Sequence, residues 1–226
     1  MEINLKQFGN VPVNADVITS LLKGYNAPLQ KLMNMERQGD LIRIKRGIYV
    51  VAPKISGKKL SSGLIANHLY GRSYVSMQTA LREYGLIPER VFSIKSMTTE
   101  RSRRIETTLG EFVYVQCPPK YYSIGVTIYT EEGVSYMIAS PEKALCDLVI
   151  STPNLNLRFL TSTEQYLEED IRFDMDALKP WCTLKLTEEG LQITPEHGET
   201  VIMQNKEGST KANFTKSKLL KAEQKG

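Results

Sequence analysis

The hydrophobic period of the chain changes at Gly39, and that change leaves few arrangements open to the first fifty residues. Upstream, Val17, Ile18, Leu21 and Leu22 recur at helical spacing, with Asn14 at the cap position and Asp16 facing the positive helix end. Lys23-Gly24 ends this helix. A second begins near Ala27-Pro28, where proline is tolerated in the first turn, and runs to about Gln38. Leu29, Leu32 and Met33 are expected to pack on the first helix, with Met35 at the flank and Glu36 as a polar exception in the apolar sector. Downstream of Gly39, Leu41, Ile42 and Ile44 lead into Lys45-Arg46-Gly47, a turn, and Ile48-Tyr49-Val50-Val51 returns as the second strand of a hairpin.

Helix, turn, helix and hairpin in that order predict a winged helix-turn-helix over residues 1–52. Residues 53–59, with proline, glycine, serine and three lysines, are expected as a linker. Residues 60–180 then predict a mixed α/β second domain. Helices are expected over Leu60 to Leu69 and from Ser76 to about Tyr84. Strands are expected at Ser73 to Val75, Val91 to Met97, Glu111 to Cys117, Ile124 to Thr130 and Val134 to Ala139, in a mixed or antiparallel sheet. Ser140-Pro141-Glu142 marks a further helix start, with Ala144, Leu145, Leu148 and Val149 burying one face. Ser162 and Gln165 fit a capping box before a short acidic helix, Glu164 to Asp170. Residues 181–226 show little pattern and predict a partly disordered tail. The fold class is therefore α+β.

Charge is unevenly placed. Residues 1–60 carry ten Lys/Arg against four Asp/Glu, whereas residues 161–226 carry nine against twelve. A cationic front on a near-neutral body is what phosphate binding requires, because neutralising phosphates supplies most sequence-independent DNA affinity. Cys117, Cys146 and Cys182 are odd in number, far apart and outside any Cys-x-x-Cys spacing, so neither a disulfide framework nor a cysteine zinc site is implied. They predict reduced thiols and a cytoplasmic protein. The opening residues lack an apolar signal core, and no uncharged run approaches the ~20 residues that span a bilayer, so no membrane association is expected.

On a helical wheel, Gln30, Asn34 and Arg37 form a narrow arc that Lys31 and Gln38 extend into a wholly polar face. Gln and Asn can pair with adenine and Arg with guanine in the major groove. A solvated helix face would have the same composition. What favours contact is the sequel, since Arg43, Lys45 and Arg46 fall on the hairpin, where a wing would lie along a phosphate backbone. These eight residues are the expected double-stranded DNA contacts.

The segment Gly39-Asp-Leu-Ile-Arg-Ile-Lys-Arg-Gly-Ile-Tyr49, preceded by Leu32 and Met35, resembles the N-terminal domain of the AbiEi family of antitoxins from type IV toxin-antitoxin, or abortive-infection, systems. Ser73-Tyr-Val-Ser-Met-Gln-Thr-Ala-Leu-Arg-Glu-Tyr-Gly-Leu-Ile-Pro-Glu89 and Ile138-Ala-Ser-Pro-Glu-Lys-Ala-Leu-Cys-Asp-Leu148 are similar to segments of that family's second domain. The resemblance covers about residues 10–175. It implies a transcriptional autorepressor binding repeated operator sites in its own promoter. It also implies an antitoxin counteracting a nucleotidyltransferase-like toxin without a stable complex. Family members finish with further helices, which residues 180–226 do not show.

The chain offers little to an enzyme, and no cofactor or metal is expected. Only His68 and His197 are available, and a structural role for His68 fits its place among Leu64, Ile65 and Leu69. Neither Gly-x-x-x-x-Gly-Lys-[Ser/Thr] nor Gly-x-Gly-x-x-Gly occurs. The alternative is a metal-dependent, nuclease-like enzyme targeted by the winged helix, with Glu131, Glu132, Glu142 and Asp147 as candidate ligands. Glu131-Glu132 fits a hairpin turn and Glu142 a helix start, so Asp147 is the least explained. Arg101, Arg103 and Arg104 are expected in a loop between strands, as an auxiliary phosphate contact or as solvated charge. Tyr114, Tyr121, Tyr122 and Tyr129 could stack on RNA bases or fill a core.

Overall fold

The computed structural model describes residues 4–88, 92–153, 155, 165–178, 182–187, 190–195, 201–206 and 209–214. The fold is α+β. The chain divides into two compact units, Met1–Thr79 with Val91–Ala139, and Ala80–Arg90 with Ser140–Gly226.

The first unit opens on a 3-10 turn, Leu5–Phe8, followed by β1 (Val13–Asn14), α1 (Ala15–Leu21) and α2 (Pro28–Arg37). Asn14 sits at the cap of α1 in extended backbone but makes no side-chain cap bond. Pro28 occupies the first turn of α2. That helix stops as Gly39 requires. At φ +69° the glycine enters the left-handed region, its N–H donates to the Glu36 carbonyl at 3.0 Å, and Asp40 N–H donates to the Met35 carbonyl at 2.9 Å. This is the paired C-terminal bond pattern that a left-handed glycine permits. The Lys54 ammonium, bonded to the Gln38 carbonyl at 2.7 Å and paired with Asp40 at 3.0 Å, puts a cation at the negative helix end.

The hairpin follows as β2 (Leu41–Lys45) and β3 (Ile48–Val51), with Gly47 at φ +80° in the turn and a register shift between Arg43 and Lys45. β1 pairs with the free side of β3, giving a three-stranded sheet in the order β1-β3-β2. Its core is Leu5, Ile18, Leu22, Leu32, Met35, Leu41, Tyr49 and Val51. Only half of each expected helical stripe enters that core. Val17 (45%), Leu21 (48%), Leu29 (67%) and Met33 (46%) remain exposed. So small a core takes one residue per turn, at spacing of three or four, and leaves the flanking positions in solvent. Residues 53–59, expected as a linker, contain a helical turn, α3 (Pro53–Ser56), whose Ile55 packs against this core.

The rest of the first unit is a six-stranded mixed sheet in the order β6-β7-β5-β4-β9-β8. The strands are β4 (Ser73–Val75), β5 (Ser93–Thr98), β6 (Arg103–Thr107), β7 (Gly110–Gln116), β8 (Val126–Glu131) and β9 (Val134–Ala139). Two antiparallel hairpins, β6-β7 and β8-β9, each add in parallel to one member of the antiparallel pair β5-β4. Helix α4 (Ser62–Leu69) starts at Ser61, whose hydroxyl accepts from Leu64 N–H at 3.3 Å. Gly63 lies so close beneath Tyr136 that a Cβ there would come within 2.3 Å of the ring. The Tyr114 hydroxyl donates to the Ala66 carbonyl at 2.7 Å.

Helix α5 (Met77–Glu83) begins in the first unit and ends in the second, where Gly85 at φ +71° closes it. In the second unit α7 (Pro141–Ser151) starts with Pro141 in its first turn, although the Ser140 hydroxyl makes no cap bond. Besides Ala144, Leu145, Leu148 and Val149 it buries Lys143, Cys146 and Asp147, so burial extends beyond the one face expected. The remaining helical turn of the first unit, α6 (Pro119–Tyr122), precedes β8. Residues 166–170 form a π-helical turn and Met175–Leu178 a short helix; Ser162 and Glu164 lie outside the described residues.

The expected unpatterned tail is replaced by a four-stranded antiparallel sheet, β10 (Cys182–Thr187), β11 (Gly190–Pro195), β12 (Val201–Lys206) and β13 (Ser209–Phe214). The expectation rested on low apolar content, but ladder pairing needs alternation rather than mass, and Leu184, Leu186, Leu191 and Ile193 alternate in sequence. Residues 215–226 lie outside the described residues. Among those described, no helix is long and apolar enough to cross a membrane.

Candidate nucleic-acid interface

Leu32 and Met35, three residues apart, anchor α2 to the core and so decide which arc of the helix faces outward. Opposite them lie Gln30 and Arg37, flanked by Asn34 and Gln38 on one side and by Leu29 and Met33 on the other, all exposed. The outward arc is therefore mixed rather than wholly polar. Gln30 Nε2 donates to Asn34 Oδ1 at 3.2 Å, so the two carboxamides are already joined along the helix. Lys31 is displaced from this arc. Its ammonium stands 5.5 Å over the Tyr25 ring and lines a cleft with Lys6, Gln38 and Asp40. Glu36, the polar exception, accepts from the Tyr49 hydroxyl at 3.3 Å. Burial, and then the Glu36 carboxylate, raise the pKa of that hydroxyl above the usual tyrosine value.

The hairpin residues divide sharply. Arg43 and Arg46 are exposed, with Arg46 beside Gly47 at the turn. Lys45 is half-buried, and its ammonium donates to the Leu69 carbonyl at the end of α4. Burial, and then the positive charge of Arg103, hold Lys45 below the usual lysine pKa. Beside it the Thr108 hydroxyl, in the β6-β7 turn, donates to the Arg43 carbonyl at 3.3 Å. The hairpin is thus docked on the six-stranded sheet, which no local reading of residues 39–51 reveals.

Arg103 and Arg104, expected in a loop, lie on β6, an edge strand. An exposed edge needs no apolar alternation, so Arg-Arg-Ile-Glu-Thr carries little strand signal. The Arg103 guanidinium sits 5.9 Å over the Tyr70 ring, the Tyr70 hydroxyl donates to the Arg101 carbonyl at 3.2 Å, and Arg104 pairs with Glu111 at 2.9 Å. Of the tyrosines considered as base-stacking groups, Tyr114 and Tyr121 are buried. Tyr122 packs edge-on against Tyr74, and the Tyr129 ring is tilted against Tyr136.

The candidate metal ligands have local explanations. Glu131 ends β8, and Glu132, in the turn to β9, pairs with Lys59 at 3.4 Å. Glu142 stands in the first turn of α7. Asp147 is completely buried and pairs with Lys143, one turn earlier on the same helix, at 3.1 Å. Among the described residues no group of three or more His, Cys, Asp or Glu side chains could hold a metal ion. His68 bonds back to its own helix, ring Nδ1 to the Leu64 carbonyl at 2.9 Å. No family model matches the chain, and no curated protein matches it.

Proposed function

We propose that residues 1–59 are a winged helix-turn-helix that binds duplex DNA, with α2 in the major groove and the β2-β3 hairpin as the wing. The supporting observation is the pairing of two surfaces. The outward arc of α2, centred on Gln30 and Arg37, is free of core packing, and the hairpin that follows exposes Arg43 and Arg46. Gln30, Asn34 and Arg37 have the hydrogen-bonding geometry that reads base edges, and the two hairpin arginines suit phosphates. Lys31 and Gln38 are peripheral contacts in this reading, and Lys45 a positioning residue. On the sequence resemblance, the chain is a cytoplasmic autorepressor and the antitoxin of a type IV system, acting against a nucleotidyltransferase-like toxin.

Mobility shift on the DNA upstream of the gene tests the first part. Gln30→Ala and Asn34→Ala should each reduce discrimination between operator and random DNA by roughly 1–3 kcal/mol, and the double variant by less than their sum, because each carboxamide holds the other. Arg46→Ala should weaken all sequences alike, whereas Lys45→Met should leave the salt dependence intact. Binding unchanged in the Gln30, Asn34 and Arg46 variants would sink the assignment. For the antitoxin role the test is co-expression with the neighbouring gene, where failure to restore growth leaves a DNA-binding protein alone.

A further inference from the structure

Asn10 keeps only 2% of its surface exposed, and the two polar atoms of its side chain are unequally served. Nδ2 donates to the Lys59 carbonyl at 2.8 Å, whereas among the described residues Oδ1 has no hydrogen-bond partner. Turning the amide over would not help, because the Lys59 carbonyl cannot donate to the oxygen that would then face it. Asn10 lines a cleft of about 70 Å³ together with Lys59, Ser61, Glu131 and Glu132. A water needs only about 10–15 Å³, so the cleft has room for an ion and part of its hydration shell. We propose that Asn10 Oδ1 and the Glu131 and Glu132 carboxylates are oxygen ligands of a divalent cation, Ca2+ in preference to Mg2+, with water completing the shell.

An amide oxygen and two carboxylates are hard donors, and Ca2+ accepts irregular geometry and bound water where Mg2+ demands a near-ideal octahedron. Only two of the three ligands are acidic, which is why no group of three His, Cys, Asp or Glu side chains marks the place among the described residues. A lone water would satisfy Asn10 Oδ1 but leaves the paired acids unexplained. Nor does the turn call for them. Glu131 pairs with Val134, so Glu132 and Gly133 are the two turn residues, at φ +45° and +81°. That backbone favours Asn, Asp or Gly at its first position, and glutamate stands there instead. The ion pair of Glu132 with Lys59 is no obstacle, since the two side chains are 51% and 86% exposed and such pairs contribute little. A bound cation would link the segment ahead of β1 to the β8-β9 hairpin.

The test is calorimetric titration of the full chain with CaCl2, and separately with MgCl2, at neutral pH, with a thermal melt at each concentration. The expected result is a single Ca2+ site with Kd on the order of 10⁻⁴–10⁻³ M, the range of sites with few charged ligands, and Mg2+ binding weaker by about tenfold. Tm should rise as the site fills. E131Q/E132Q should keep the metal-free Tm and weaken Ca2+ binding by about tenfold or more. Lys59→Met, which removes a competing ammonium, should tighten it by about threefold. In NMR spectra the Asn10 side-chain amide resonances should shift with the same midpoint as the heat. No heat and no rise in Tm up to about 10 mM Ca2+ overturns the site. Binding that survives E131Q/E132Q, or that leaves the Asn10 resonances in place, overturns it as well, because the ion then sits elsewhere. Equal affinity for Mg2+ overturns the preference for Ca2+.

Discussion

The side chain of Asn67 does the work of a missing strand neighbour for Met137. Its Oδ1 accepts from the Met137 N–H at 2.6 Å and its Nδ2 donates to the Met137 carbonyl at 3.3 Å. The need arises from the ladder itself, since β4 and β9 pair only at Val75 and Ile138. Asn67→Ala removes both bonds from exposed backbone groups and should cost about 1 kcal/mol in urea unfolding. Asn67→Asp keeps the acceptor and loses the donor, and should fall between. A loss under about 0.5 kcal/mol for the alanine variant would mean that water replaces the carboxamide.

Gly63 is fixed by what lies over it. Three Tyr136 ring atoms, at 2.3, 2.4 and 2.7 Å from where a Cβ would stand, leave no room for a methyl group. Gly63→Ala should therefore cost about 1–3 kcal/mol by overpacking, despite the gain in helix propensity. The check is a double-mutant cycle with Tyr136→Ala, in which the glycine substitution should become neutral or stabilising. Additive losses would place the strain elsewhere.

Tyr114 closes the end of α4. Ala66 lies in the last turn of that helix, where carbonyls lack helical partners, and the Tyr114 hydroxyl supplies one. Burial pushes the pKa of that hydroxyl far above the usual tyrosine value. A raised folded-state pKa means that the stabilisation is complete below the unfolded value of about 10 and is lost as pH rises toward the folded value. Tyr114→Phe should cost about 1 kcal/mol at neutral pH and show a shallower fall in stability above pH 10 than the wild type. Parallel pH profiles for the two proteins would show that Tyr114 does not set the alkaline limb.

The pair Lys143 and Asp147 is buried to 3% and 0% exposure on adjacent turns of one helix. Removing one partner leaves a charge in the interior, so Lys143→Met or Asp147→Leu alone should cost about 3–5 kcal/mol. Both changes together should cost less than either one. This separates a structural aspartate from a catalytic one. A stable Asp147→Leu protein that had lost magnesium-dependent DNA cleavage would restore the nuclease reading.

What was legible in the sequence was local. Gly39, Pro28 and Ser140-Pro141 act on their own backbone within a few residues, and the helix boundaries they announce stand where expected. Periodicity found the helices but overstated their stripes, because Val17, Leu21, Leu29 and Met33 satisfy the spacing while the core has room only for Ile18, Leu22, Leu32 and Met35. Strands were found where aliphatic residues accumulate and missed where they do not, on the arginine-rich edge at Arg103 and beyond Cys182. The fate of Lys45 was out of reach. Its partner is a backbone carbonyl twenty-four residues away, and a carbonyl has no signature in an amino-acid alphabet.

That bond between Lys45 and Leu69 bears on how separable the two halves of this first unit are. A segment ending near residue 59 would keep its helices and hairpin but send an ammonium, shaped for a neighbour's carbonyl, into open water. Grafted onto another protein, such a segment would carry the exposed face of α2 without the bond that holds the hairpin against α4. The first sixty residues are thus better regarded as one part of a larger rigid piece than as an interchangeable cassette, because a side chain of the hairpin is completed only by a backbone atom of α4.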